Sequence, residues 1–208
     1  YKKMKEIKFG IAGYGKMGKI REKSILDSMD ATLISIYDIA DNEHHDENII
    51  LCDSYDKLLE TNIDAVIVSA FVKVAAEYVI RALDAGKHVF CEKPPAMTSV
   101  EMAEVIKAEK KSGKILKYGF NHRFHYSVIE AKKLVNTGTM GKMLWMRGVY
   151  GKAGSIDFHD NWRNYKNYSG GGILLDQGIH MLDLFRYLSD SEFKCLNAQL
   201  SNSFWSVE

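Results

Sequence analysis

The glycine-rich stretch near the amino terminus constrains the fold of this chain more than any other feature. An apolar run over residues 7–12 is followed by Gly13, Gly15 and Gly18, spaced Gly-x-Gly-x-x-Gly. In a strand-turn-helix unit that binds a dinucleotide, the first glycine allows a tight turn. The second lets the backbone approach a pyrophosphate, and the third lets helix and strand pack closely. A helix predicted over 19–29 would direct its free N–H groups and its positive dipole end at that anion.

An acid follows the second predicted strand, residues 33–37. Asp38 stands twenty residues after Gly18, where a carboxylate can accept hydrogen bonds from the adenosine ribose hydroxyls. The alternatives are an exposed acid at a strand end and a glycine turn without a ligand. Strand, helix, strand and acid in one register favour dinucleotide binding. No arginine occurs among residues 39–41 to offset the charge of Asp38, so we predict NAD over NADP.

The charge balance and the cysteines bear on partners and location. With 28 basic and 27 acidic residues among 208, no excess of positive charge points to a nucleic acid. No segment resembles a membrane span or a signal peptide, so neither is expected. Cys52, Cys91 and Cys195 are odd in number and unevenly spaced, which indicates neither a disulfide framework nor a zinc site. We therefore expect a cytoplasmic protein without a metal.

Short apolar runs alternate with helical patterns from Ile7 to Gly119, which predicts an α/β domain with a parallel sheet and helices on both faces. The domain is assigned to residues 1–119. The pattern changes after Phe120, and residues 120–208 are assigned to the start of a second domain. The further elements expected are strands over 49–51, 64–70, 88–91 and 115–120, helices over 55–61, 73–85 and 99–111, and then a helix over 125–135, a strand over 143–150, a loop over 151–172, a helix over 174–188 and a strand over 195–204.

Two motifs carry residues suited to proton transfer. Lys93, within Glu92-Lys93-Pro94, ends a predicted strand, the edge at which open parallel sheets bind ligands. An ammonium there can stabilise negative charge on a reacting oxygen, although a lone lysine is more often a solvated surface charge. Asp176 and His180 follow three consecutive glycines with i, i+4 spacing, which places both on one face of a helix. A carboxylate beside an imidazole can serve acid–base catalysis or form an ordinary helix salt bridge.

These motifs, with Ala85-Gly86-Lys87-His88-Val89, make the chain resemble the glucose-fructose oxidoreductase / inositol dehydrogenase / rhizopine catabolism (Gfo/Idh/MocA) family from Ile7 to about Leu188. The resemblance implies a Rossmann domain followed by an α+β domain with an open, mostly antiparallel sheet. It also implies NAD(P)-dependent hydride transfer to or from a sugar or cyclitol hydroxyl carbon, in a homodimer or homotetramer. Residues 119–124, with Trp162 and Arg163, resemble members that act on sugars or nucleotide-linked sugars.

The resemblance also implies roles for individual residues. The catalytic set is Lys93, Asp176 and His180, with the proton acceptor left open between Lys93 and His180. The residues implied in cofactor binding are Gly13, Tyr14, Gly15, Lys16, Met17, Gly18, Asp38, Ser69, Ala70, Glu92, Lys93 and Asn121. Those implied in substrate binding are Lys93, Arg123, Trp162, Arg163, Asp176 and His180.

The chain departs from the family pattern in two places. Family members commonly carry Thr-Pro and then a histidine after the fourth strand, where this chain has Ala70, Phe71 and Ala75. The contacts that the threonine, proline and histidine side chains make in the family would therefore have to differ here. The chain also begins with Tyr1 and stops at Glu208, which suggests a fragment that lacks the rest of the second sheet.

Several residues and two other functions remain as alternatives. His44, His45 and Asp46 are more consistent with a solvated loop than with a metal site, because no partner cluster has ligand spacing. Arg123 could bind a carboxylate or phosphate bidentately, or pair with an acid in the core. A packing role is the alternative for Trp162. The alternative functions are a non-catalytic NAD-binding sensor and an NAD-assisted glycosidase on the same scaffold.

Overall fold

The computed structural model describes residues 6–40, 44, 46–151, 165–199 and 201. The chain forms two compact units, residues 1–119 and residues 120–208, here called unit 1 and unit 2. Each unit is described by itself. Within the described residues, no helix is both long enough and apolar enough to cross a lipid bilayer.

Unit 1 alternates strands with helices around one sheet. Its strands are β1 (Ile7–Ala12), β2 (Ala31–Tyr37), β3 (Ile50–Cys52), β4 (Ala65–Val68), β5 (His88–Cys91) and β6 (Leu116–Tyr118). Its helices are α1 (Lys16–Leu26), α2 (Tyr55–Glu60), α3 (Val72–Asp84) and α4 (Ser99–Ser112). All strand pairs are parallel, in the order β3-β2-β1-β4-β5-β6. This is the strand order of a Rossmann fold, whose ligands bind beyond the carboxyl ends of the strands where the order reverses. The predicted parallel α/β fold is confirmed.

Side chains from the two sheet faces enter two separate apolar clusters. Ile11 and Ile67 belong to the cluster that includes Ile25 of α1, whereas Val66 and Val68 belong to the cluster that includes α3 and α4. Alternation along a strand explains the division, because successive side chains point to opposite faces. Every residue of β4 is buried, as expected of a central strand covered on both sides.

Helices α1 and α3 of unit 1 begin earlier than the sequence pattern predicts, α3 by one residue at Val72. Helix α1 begins at Lys16 with Gly15 as its N-cap, not at residue 19, so the helix starts inside the glycine motif. Helix α4 begins at Ser99, as predicted, and Thr98 is its N-cap. The hydroxyl of Thr98 accepts the N–H of Glu101, whose carboxylate in turn accepts the N–H of Thr98. Of Thr98 and Ser99, only Thr98 has a glutamate three residues later, which is the spacing that this reciprocal capping box requires.

Unit 2 is helical over most of its described length. It contains a 3₁₀ turn (Asn121–Phe124), α5 (Tyr126–Asn136), the short α6 (Lys166–Ser169), a π-helical turn (Leu174–Gly178) and α7 (Ile179–Ser189). The pattern predicts strands over 143–150 and 195–204, but residues 143–150, 195–199 and 201 form no strand. A strand requires a neighbour to satisfy its backbone groups, and no described residue of unit 2 pairs with these segments. Alternating apolar residues therefore do not by themselves establish a strand here.

Candidate active site

The glycine motif of unit 1 is folded so that two of its glycines leave no room for a side chain. Gly13 has φ +91°, and a Cβ built on it would lie 2.4 Å from the backbone nitrogen of Ala70. A Cβ on Gly18 would lie 2.3 Å from the carbonyl oxygen of Gly13. A Cβ on Gly15 would have no atom within 4 Å, so the backbone at Gly15 faces open space. This fits the sequence-based interpretation, in which the backbone at the second glycine admits a pyrophosphate.

Hydrogen bonds connect the glycine turn to two strand ends. Asp38, directly after β2, accepts the N–H of Tyr14 and, through Oδ1 at 2.9 Å, the N–H of Ala40. The hydroxyl of Ser69, directly after β4, donates to the carbonyl oxygen of Gly13 at 2.6 Å. Asp38 and Ser69, both predicted cofactor residues, therefore lie at the same turn. Lys16 and Met17 form the first residues of α1 at this turn.

A cleft of about 520 Å³ opens beside this turn, at the carboxyl ends of β2 and β3. Its lining includes Tyr37, Asp38 and Ile39 on one side and Cys52 and Asp53 on the other. The carboxylate of Asp38 thus lies in a cavity large enough for a small organic group. The residues present fit the adenosine end of a dinucleotide.

Glu92 and Lys93 follow β5 at the same sheet edge. The N–H of Glu92 donates to the carbonyl oxygen of Val68 at 2.8 Å, which extends the pairing of β5 with β4. The carboxylate of Glu92 forms an ion pair with Arg21 of α1. Lys93 is half-buried, and its peptide bond to Pro94 is cis. Lys93 therefore lies at the carboxyl edge of the sheet, as predicted.

His180, the first buried residue of α7, lies among aromatic rings of unit 2. Its side chain and backbone together are only 3% exposed. The imidazole stacks on His122, with ring centroids 3.9 Å apart, and meets Phe120 edge-on at 6.1 Å. His122 also contacts Tyr150 at 5.9 Å in a parallel arrangement. Packing against His122 and Phe120 restricts the orientation of the imidazole, and general acid–base catalysis uses a side chain held in position.

Asp176 precedes His180 in a widened turn of the helix. The spacing predicts a continuous helix over 174–188, but residues 174–178 form a π-helical turn, after which α7 begins. Oδ2 of Asp176 accepts the side-chain amide of Gln177 at 2.8 Å. Single π-helical turns inside helices are rare and occur frequently at functional sites. The widened turn sets the offset between Asp176 and His180, so the α-helical geometry assumed for the i, i+4 spacing does not apply.

Arg123, predicted to contact substrate or a core acid, is paired with an acid. Its Nε donates to Oδ2 of Asp183 at 2.8 Å, and a second guanidinium nitrogen contacts Oδ1. This bond raises the pKa of Arg123. The guanidinium also lies over the Tyr187 ring at 5.0 Å. Asp183 is buried and was not among the predicted site residues, although its position three residues after His180 on an amphipathic helix places it on the same face.

The remaining predicted residues fall into three groups. Asn121 begins the 3₁₀ turn of unit 2. His44 bonds through Nε2 to Glu22 at 2.6 Å, and no three His, Cys, Asp or Glu side chains form a metal cluster within the described residues. Trp162, Arg163 and His45 lie outside the described residues.

Both parts of the chain match known family models. Residues 7–120 match the model described as an oxidoreductase family with an NAD-binding Rossmann fold, and residues 128–208 match the GFO/IDH/MocA C-terminal domain.

Named relatives were found by sequence and by structure. The myo-inositol 2-dehydrogenase of Thermotoga maritima is 32% identical over 192 residues, which cover 89% of this chain and 56% of that protein. The D-glucoside 3-dehydrogenase of Escherichia coli is 36% identical over 131 residues, or 63% of this chain and 37% of that protein. The crystal structure of myo-inositol 2-dehydrogenase from Lactobacillus plantarum matches with a TM-score of 0.76 at 27% identity, over 89% of this chain and 57% of that one. The chain thus spans about half the length of the curated relatives it matches.

Proposed function

The chain belongs to the GFO/IDH/MocA oxidoreductase family, and from that premise we propose that it transfers a hydride between NAD and a hydroxyl-bearing carbon of a sugar or cyclitol. The observation that carries the proposal is the position of Lys93. It follows β5 at the same sheet edge as the glycine turn and Asp38. A cofactor cradle and an ammonium at one edge of one sheet are what a dehydrogenase of this kind requires.

Unit 1 would hold the cofactor. The N–H groups at the start of α1 and the open backbone at Gly15 would bind the pyrophosphate. Asp38 would accept hydrogen bonds from the adenosine ribose and, by its charge, disfavour a 2′-phosphate, so NAD is preferred over NADP. Tyr14, Ser69, Ala70, Glu92 and Asn121 are the further residues proposed to contact the cofactor. The nicotinamide, when bound, supplies the hydride chemistry.

Side chains of the protein would remove the hydroxyl proton when the hydride is transferred. In the oxidative direction a base removes the hydroxyl proton while the ammonium of Lys93 stabilises developing negative charge on the same oxygen. His180 is the proposed partner in this proton transfer, and Asp176 the carboxylate that supports it. The stacked ring of His122 would keep the imidazole plane of His180 constant between turnovers. Arg123, Trp162 and Arg163 are proposed to line the substrate side, with Arg123 acting while bound to Asp183.

The names of the relatives support the proposed substrate class. Proteins of 32% and 36% identity are named for inositol and glucoside oxidation, so a cyclic polyol is proposed, with nucleotide-linked sugars as the narrower alternative. Residues 1–119 would form the cofactor domain, and residues 120–208 the start of the substrate and oligomerisation domain of a homodimer or homotetramer. A reducing, cytoplasmic location is proposed, in keeping with the free thiols of Cys52, Cys91 and Cys195.

A substrate panel tests the proposal. The full-length protein is mixed with inositols, glucosides, free sugars and nucleotide sugars, with NAD or NADP, and NADH formation is followed at 340 nm. We expect NAD-dependent absorbance change with at least one cyclic polyol. In Lys93→Met we expect turnover to fall by about 10²–10⁴, while NADH still binds.

Lys107→Met is the matched control, because Lys107 is an exposed lysine of α4 that pairs with Glu104. It should match the wild-type rate. No turnover with any polyol, despite tight NADH binding, would contradict the dehydrogenase and favour a sensor. Release of a glycoside's leaving group without net NADH would favour the glycosidase.

A further inference from the structure

Arg21, which the sequence motifs do not mark, holds the carboxylate that precedes Lys93. Its Nε and Nη2 both donate to Oε1 of Glu92, at 2.7 and 2.5 Å. The guanidinium also lies over the ring of Phe90, 4.9 Å from its centroid. Both charged side chains are largely shielded, with 21% of Arg21 and 12% of Glu92 exposed. An arginine with two donors on one oxygen and an aromatic ring beneath it holds a defined orientation.

Gly119 restricts the same carboxylate from another direction. A Cβ on Gly119 would lie 2.7 Å from Oε2 of Glu92, so the glutamate occupies space that only a glycine leaves open. The N–H of Gly119 donates to the carbonyl oxygen of Cys91 at 2.8 Å, which fixes this approach to the end of β5. Within the described residues Oε2 accepts no hydrogen bond, whereas Oε1 accepts two. Arg21 therefore leaves one oxygen of Glu92 available to a ligand.

We propose that Arg21 is a positioning residue for the nicotinamide end of the cofactor, acting through Glu92 on the segment that carries Lys93. The proposal deepens the proposed function and rests on its placement of Glu92 and Lys93 at the cofactor. Arg21 lies on α1, whose amino end is proposed to bind the pyrophosphate. One helix thereby contacts the phosphates directly and orients the nicotinamide side indirectly.

A lysine should fill this role only in part. A lysine keeps the charge but is a single flexible donor that cannot place two nitrogens on one oxygen in a fixed plane. We therefore expect Arg21→Lys to restore part of the function that Arg21→Met loses. If Arg21 were needed only for its packing volume, Arg21→Met would bind the cofactor as the wild type does, and Arg21→Lys would have no advantage over it.

Binding of two ligands separates positioning from general structure. Wild-type protein, Arg21→Met, Arg21→Lys and Gly119→Ala are titrated with NADH and with ADP-ribose, which lacks the nicotinamide. We expect Arg21→Met and Gly119→Ala to bind NADH about tenfold more weakly and ADP-ribose as the wild type does. Gly119→Ala displaces the tip of the Glu92 side chain without touching Arg21, so it tests the same carboxylate if Arg21→Met does not fold.

Arg81→Met is the matched control. Like Arg21, Arg81 is an arginine that forms ion pairs, here with Asp56 and Glu77, and lies over an aromatic ring, that of Tyr55; unlike Arg21, it lies away from the sheet edge that carries Lys93. It should bind both ligands normally. Equal weakening of NADH and ADP-ribose in Arg21→Met would assign Arg21 to the stability of α1 and overturn the proposal, as would unchanged NADH binding. If the selective loss appears but no polyol is turned over, the positioning role stands and the proposed reaction fails.

Discussion

The two units of this chain bury different kinds of side chain. Every apolar side chain that is fully buried within the described residues belongs to unit 1, where both faces of the sheet are covered. The buried non-glycine residues described in unit 2 are Ser169, His180 and Asp183, all polar. Unit 1 is therefore stabilised mainly by apolar burial, at about 25 cal/mol per Å² removed from water. The described part of unit 2 depends on ring stacking and on charge-assisted hydrogen bonds.

This difference affects how each unit responds to substitution. In unit 1 the proposed pyrophosphate site consists of the glycine turn and the N–H groups at the start of α1, so side-chain changes away from that turn should leave it intact. In unit 2 the candidate catalytic imidazole is itself one of the three side chains that are buried among the described residues, so a substitution there can affect packing as well as chemistry. Substitutions in each unit should separate these two responses.

His180→Asn should have the largest effect, and it should fall on catalysis alone. Loss of a positioned acid–base group lowers kcat by about 10²–10⁴, whereas NADH affinity, a property proposed for unit 1, should not change. Steady-state kinetics with the substrate found in the panel, and NADH titration, measure the two quantities. Full turnover in this variant would remove His180 from the mechanism.

Gly18→Ala and Gly15→Ala should separate folding from binding within unit 1. A Cβ at Gly18 would press on the backbone oxygen of Gly13 at 2.3 Å, and overpacking of this kind costs about 1–3 kcal/mol or more of stability. A Cβ at Gly15 meets nothing within 4 Å, so Tm should hold while NADH binding weakens. Thermal melting and NADH titration of both variants check this. Equal melting temperatures would contradict the close packing at Gly18.

Asp183→Ala should loosen unit 2 and leave unit 1 unaffected. Breaking a fully buried ion pair costs about 3–5 kcal/mol of stability. The side chain of Arg123 is 37% exposed and can reach water when Asp183 is removed. We therefore expect unit 2 to lose about 2 kcal/mol of stability. Hydrogen exchange should accelerate in α5 and α7 but not in β1 or β4. Glu192→Ala, which removes the exposed partner of Arg186, is the control and should change nothing measurable. Equal acceleration in β1 and β4 would contradict this prediction.

Alkaline pH should destabilise unit 1, and Tyr55 should account for part of the loss. Burial raises the pKa of the Tyr55 phenol above its ordinary value of 10, and its hydroxyl donates to the carbonyl oxygen of Tyr78 at 2.6 Å. Because the folded-state pKa is raised, the contribution of Tyr55 to stability is fully present below pH 10 and falls as pH rises further, by about 1.4 kcal/mol per pH unit for this one group. Urea unfolding between pH 9 and 11.5 should show this decline, and Tyr55→Phe should show a shallower one. Parallel slopes for the two proteins would contradict the assignment.

The sequence predicts features of unit 1 that depend on residue type at fixed spacing. Gly13 and Gly18 occur where only a glycine fits, and Asp38 occurs where a strand ends, so local pattern suffices. The N-cap of α4 also has a local signal in the sequence. Glu101 stands three residues after Thr98, the spacing of a capping box, whereas Met102 stands three residues after Ser99.

Other features leave no local signal. Arg21 and Glu92 are 71 residues apart in sequence, and nothing in either segment indicates the other. The π-helical turn over 174–178 has the apolar pattern of an ordinary helix, since widening one turn changes the spacing by a single residue. The segment 143–150 alternates as a strand would, but pairing depends on a neighbour that its own residues cannot specify.

The π-helical turn before α7 bears on how this region can tolerate changes in length. Each residue of an α-helix advances the chain by about 100° of rotation. Deleting Gln177 would let the wide turn relax to α-helical geometry, whereas inserting a residue elsewhere in α7 would swing everything beyond it to another face. A length change at this one turn is thus the least disruptive in the helix, and it would re-aim Asp176 while His180 keeps its place in the stack of rings.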